Sequence, residues 1–179
     1  VKLHILTACT RPWNLPRIAD SIYAFQRENV EVHWHIGHDD EPAVGGQRIK
    51  NRLLDDITNG WVYVLDDDTL MHPELLYRLP DLCRRCDVVL FAQVRGELVH
   101  NPQLLRGCID VGQAVIRRST IGKTRIPDFY DGDGWFLEAV CGKARNVKYL
   151  NQPLSFYNLL EGEPDARSTQ RPTAAVAPV

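Results

Sequence analysis

Apolar and polar positions fall in blocks along the first half of the chain, and the period changes from block to block. Residues 2–9, KLHILTAC, form an almost unbroken apolar run, the pattern of a strand buried on both faces. After a break at TRPWN, Leu15, Ile18, Ile22 and Phe25 recur at helical spacing, with Asn14 placed to cap the helix and Pro16 in its first turn. Residues 30–37, VEVHWHIG, predict a second strand that runs into the polar loop HDDEPAVGG. Ile49, Leu53 and Ile57 mark one face of another helix, terminated at Gly60 in TNG, and WVYVL (61–65) predicts a third strand. This β-α-β-α-β order with short connections calls for a parallel sheet with helices packed on it.

The second half is more mixed. Pro73 opens a helix, DVVLFAQVRGELVH (87–100) predicts a strand running into a hairpin, and GCIDVGQAVIRR (107–118) a further strand. DGDGWFLEAVCGKA (131–144) has the pattern of an acidic loop opening a helix. VKYL and LSFYNLL predict two short closing strands. From Gly162 onward the chain is rich in Pro, Ala, Ser and Thr without periodicity, so residues 1–161 are expected to form one domain and 162–179 a disordered tail.

Composition narrows the function classes. With 179 residues, 44% of them hydrophobic, one domain with a sizeable core is expected. The 21 Lys and Arg nearly balance the 23 Asp and Glu, so no overall field favours nucleic acid or an anionic membrane. No apolar stretch is long enough to span a bilayer, and the first residues turn polar too early for a signal peptide. Five scattered cysteines do not form a disulfide framework, which points to a reducing, cytoplasmic setting. CRRC (83–86) has zinc-ligand spacing without a second ligand pair, and is otherwise read as a half-buried helix end. His33 and His35, two apart on a strand, share one face and are read as packing or surface residues.

Ligands of open α/β sheets bind beyond the carboxyl ends of the strands. Three polar clusters fall there: Thr7 to Arg11, His38 to Glu41, and Asp66, Asp67 and Asp68. Crowded carboxylates raise one another's pKa unless a cation neutralises them. Mg²⁺ or Mn²⁺, held by a carboxylate and by phosphate oxygens, is the usual solution and suits a nucleoside diphosphate. The competing reading of the triplet is a solvated turn or a helix N-terminus, where acids are favoured. Asp39 or Asp40 can accept from a base edge, and Arg11 and Arg48 can meet phosphate or balance the carboxylates.

LTACTRP, VHWHIGHDD, QRIKNRLLDD and VYVLDDDTLMHPELL follow one another as in the nucleotide-binding half of GT-A glycosyltransferases. Over roughly residues 2–160 the chain resembles the β-1,3-glucuronyltransferases, or a compact relative of the family 2 glycosyltransferases. The resemblance implies a Rossmann-like GT-A fold, a UDP-sugar donor and transfer to a carbohydrate or other hydroxyl acceptor, with inversion. It also implies that Thr7, Ala8, Cys9 and Arg11 line the nucleotide pocket, with Asp39 on the uracil and Arg48 on the phosphate side. Asp66 and Asp67 would belong to the nucleotide site, Asp67 facing the ribose, and Asp68 would hold the metal. Asp133 would be the base that deprotonates the acceptor, with Asp131 as its competitor. Gly132 and Gly134 would keep that loop mobile or let substrate approach the backbone, and Trp135 would be an acceptor platform or a buried anchor. The family's C-terminal histidine is missing, since none follows His100, and Tyr157 or Asn158 takes its region. The alternatives are a non-catalytic sugar-nucleotide binding module and, from LDDDTL, a haloacid-dehalogenase-like phosphatase.

Overall fold

The apolar run at the start becomes β1 (Lys2–Cys9) in the computed structural model, which describes residues 1–38 and 46–160. It is followed by α1 (Leu15–Tyr23), β2 (Glu31–His38), α2 (Gln47–Asp55) and β3 (Trp61–Val64). The second half adds β4 (Leu70–Met71), α3 (Glu74–Arg85), β5 (Val88–Arg95), β6 (Leu98–His100), β7 (Ala114–Arg117), α4 (Arg118–Ile121), α5 (Gly132–Cys141) and β8 (Val147–Tyr157). They build one sheet in the order β2-β1-β3-β7-β5-β8-β4, with β6 paired to β5.

β2, β1 and β3 run parallel, as the alternation of strand and helix predicts. β7 then enters antiparallel between β3 and β5, so the sheet is mixed rather than purely parallel. Each face of the sheet carries its own core. Leu3, Ile5, Tyr63 and Phe91 meet Ile18 and Ile22 of α1 and Leu75 and Leu79 of α3 on one side. Leu6, Val62, Val64 and Leu90 meet Leu54 of α2 and Phe136, Leu137 and Val140 of α5 on the other. This is a helix–sheet–helix sandwich.

Four expectations change. The segment 107–118 is a strand only over Ala114–Arg117, because Asp110 caps a short 3₁₀ turn at Val111–Gln113 with a reciprocal bond from its backbone to Gln113. The two closing strands are a single β8, with Pro153 accommodated opposite Ala92 where the pairing with β5 shifts register. Phe25 lies beyond α1 and is half exposed. Asn14 sits at the N-cap of α1, yet its side chain donates to the Asp67 carbonyl instead of capping the helix. Cys83 and Cys86 are the buried end of α3, where Arg117 Nη2 donates to both of their carbonyls. All five cysteines are free, and no helix among the described residues is long and apolar enough to cross a membrane.

Candidate functional site

The triplet at the end of β3 divides its three carboxylates among three tasks. Asp67 turns inward and is 4% exposed. Its Oδ2 accepts from the Thr10 N–H at 2.6 Å, the Arg11 N–H at 2.7 Å and the Thr10 hydroxyl at 3.0 Å. Its Oδ1 takes Arg11 Nη1 at 2.7 Å. So Asp67 latches the loop after β1 onto the end of β3, and the first and third polar clusters do converge. Asp68 shares the same Arg11 nitrogen at 2.7 Å. With its amide turned to satisfy both groups, Asn158 Nδ2 lies 3.1 Å from each Asp68 oxygen. Burial, and then Asp66, hold the Asp68 carboxyl above the ordinary aspartate range, so a nearby cation stabilises its ionised form.

Asp66 points the other way, into a cleft of about 330 Å³ lined by Gln47, Lys50, Arg95, Asp110, Asp131, Asp133 and Tyr157 among others. Lys50 reaches it from α2 and is almost fully buried, with Nζ 2.7 Å from Asp66 Oδ1. Burial works against the ammonium, but Asp66 and Asp133 outweigh it and raise the lysine above its usual value. Lys50 is therefore a fixed cation. Asp110 faces the same group of charges: burial, then Asp66 and Asp133, push its carboxyl up to about 7 against the pull of Lys50. Asp133 is also raised, by burial first and by Asp66, while Lys50 lowers it. One oxygen of Asp133 is buried without a hydrogen-bond partner among the described residues. A partly desolvated carboxylate with an unused acceptor beside a cleft is equipped to take a proton from a bound hydroxyl.

Asp133 reaches the cleft because α5 begins beneath it. Gly132 and Gly134 are buried, and neither serves as a mobile hinge: a Cβ would meet the Pro127 carbonyl at 2.2 Å at the first and the Arg106 Cα at 2.8 Å at the second. Their missing side chains let the helix N-terminus sit close against both segments. Trp135 is 44% exposed, with the Arg106 guanidinium 3.2 Å over its ring and Phe129 edge-on to it. Arg106 also pairs with Glu138. Tyr130, 89% exposed, lines the cleft.

Of the residues expected from the sequence, Asp66 and Asp133 line the cleft, as does the competitor Asp131. Arg11 and Asp68 are joined by an ion pair next to it. Thr7, Ala8 and Cys9 are buried in the strand end, where Thr7 Oγ1 donates to the Leu65 carbonyl and accepts from Trp34 Nε1. Arg48 is exposed and bound to Asp128 at 2.6 Å. Asp39 lies outside the described residues. Lys50, Asp110 and Arg95 are the charged cleft residues that sequence reasoning passed over. The signal for Lys50 was its spacing, since Lys50 stands with Gln47 and Leu54 on the buried side of α2, where a charge requires a partner.

Among the described residues, no group of three or more His, Cys, Asp or Glu side chains is arranged to enclose a metal ion. Asp68, the carboxylate that the resemblance assigns to a metal, already takes Arg11 Nη1 on Oδ2 and has the Asn158 amide within 3.1 Å of both oxygens, so a divalent ion there would share it with these donors.

No protein-family model matches the chain, and no curated protein matches it. Among solved structures, S. aureus TarS 1–349 in complex with UDP-GlcNAc superposes with a TM-score of 0.70 at 12% identity, covering 95% of this chain and 61% of that one. TarS 1–349 in complex with UDP gives 0.68 at 12% identity, covering 87% and 60%. The chain thus spans about three fifths of these two TarS structures. At this identity the likeness establishes the fold, a mixed α/β sheet of the Rossmann-like GT-A class.

Proposed function

We propose that the chain is a nucleotide-sugar glycosyltransferase that uses a UDP-sugar donor and inverts the anomeric centre. The observation that carries this reading is the arrangement at the cleft: an Asp133 oxygen buried without a hydrogen-bond partner among the described residues, beside a Lys50–Asp66 ion pair, at the strand end latched by Asp67. The shared fold with TarS, solved with UDP and UDP-GlcNAc, supports it.

In this reading Asp133 accepts the proton of the acceptor hydroxyl as that oxygen attacks the anomeric carbon from the face opposite the leaving diphosphate. A base so placed needs no covalent intermediate. Asp67 holds the loop after β1 in position, and Lys50 pairs with Asp66 while presenting positive charge to the cleft. Mn²⁺ or Mg²⁺ at Asp68 would supply neutralisation of the diphosphate charge. The acceptor would lie on the Tyr130 and Trp135 side, next to Asp131.

Calorimetric titration of UDP with and without Mn²⁺, repeated on Asp68→Ala, tests the reading. Mn²⁺-dependent binding that disappears in the variant is the expected result. Absence of UDP binding under both conditions would remove the donor from the account.

A further inference from the structure

Arg95 ends β5 and lines the cleft, and it is the cleft's second cation. Its neighbours Asp66, Asp110, Asp131 and Asp133 give the cleft an excess of carboxylates. Lys50 is committed to Asp66 at 2.7 Å. Arg95 is committed to none of them: among the described residues its polar contacts are with a neutral amide. Nε and Nη2 donate to Gln93 Oε1 at 3.2 and 3.1 Å. The guanidinium carbon also stands 4.2 Å over the Tyr157 ring. Gln93 is fully buried, so its carbonyl oxygen is a fixed anchor.

A guanidinium cannot shed its proton to escape an uncompensated environment. Here one edge is clamped by an amide and one face by an aromatic ring, which fixes the plane and leaves the remaining N–H groups for a ligand. A planar fork of this kind matches a phosphate or carboxylate bidentately. The location narrows the choice. Arg95 pairs in register with Tyr157 across β5 and β8, and the next residue, Asn158, faces both oxygens of Asp68. An anion bound by Arg95 therefore lies on the same sheet edge as Asp68 and shares the cleft with Lys50.

We propose that Arg95 is a preorganised phosphate subsite, held by Gln93 and Tyr157, that takes the distal phosphate of the donor's diphosphate; this rests on the nucleotide-sugar reading above.

The experiment is calorimetry of UDP, UMP and inorganic diphosphate in Mg²⁺ buffer with the wild type, Arg95→Lys and Arg95→Ala, with melting temperatures confirming the fold. Arg95→Gln replaces the alanine variant if that does not fold. The expected result is a loss of about tenfold or more for UDP and for inorganic diphosphate, as for a lost hydrogen bond to a charged group. UMP should stay within about twofold, the range of a neutral substitution. Lysine should recover part of the loss, because it restores the charge without the fork. Unchanged UDP affinity in the alanine variant, or equal losses for UMP and UDP, overturns the subsite while leaving the nucleotide reading in place. Arg95-dependent binding of inorganic diphosphate without UDP binding upholds the subsite and removes the nucleotide reading. If the wild type binds neither, both fall.

Discussion

Asp110 joins local structure to site electrostatics. The same carboxylate that caps the Val111–Gln113 turn, accepting from the Gly112 N–H at 2.6 Å, faces Asp66, Asp133 and Lys50. Burial and its two acidic neighbours hold it near 7, above the 3.8 of a free aspartate. The sign follows from proton binding. Between those two values the folded state keeps a proton that the unfolded chain releases, so this group lowers stability as pH rises through that window. His4 acts in the opposite sense. Burial first, then His35 and His33, lower it to about 4, so the folded state stays neutral where the unfolded chain is charged, and stability rises with pH between about 4 and 6.5. Asp110→Asn keeps a cap acceptor while removing the charge. Urea denaturation of wild type and variant from pH 4 to 8 should show the variant gaining relative stability as pH rises. A constant difference across that range contradicts this placement of Asp110. None of this was legible in the sequence, where Asp110 is one polar residue in an apolar stretch; its environment exists only after β7 folds between β3 and β5.

At the scale of elements, the parallel half of the sheet was legible because its strands are continuous apolar runs and its helices keep one apolar face. β1 matches its expected residues, and β2 and β3 shift by a single position. What periodicity does not encode is pairing direction. The antiparallel β7 and the continuous β8 depend on contacts between segments far apart in sequence. Likewise the triplet's need for cations, and Arg11 as a residue able to meet it, could be read from the sequence, whereas Lys50 could not, and the other candidate, Arg48, pairs with Asp128. α2 delivers Lys50, and its entry is set by Gly46, which has φ +67 and where a Cβ would fall 2.5 Å from the Ala8 Cβ. Gly46→Ala combines left-handed strain of about 1–2 kcal/mol with that clash, so a loss of about 2 kcal/mol or more is expected from urea denaturation. A smaller loss would mean that the end of β1 yields at Ala8.

For the molecule as a whole, a two-faced core fixes the sheet, and the strand ends gather acids and cations from α2, the end of β3, β5 and α5 into one cleft. The central claim is that this cleft performs transfer chemistry, with Asp133 as its base. The most direct measurement is release of UDP from UDP-sugars, with water and a panel of saccharides as acceptors, for the wild type and Asp133→Asn, alongside UDP affinity for both. Loss of a base should lower turnover by about a hundredfold or more. The account predicts that loss with UDP affinity retained. Equal turnover in the two proteins, or UDP binding without turnover in the wild type, would contradict it and leave a binding module.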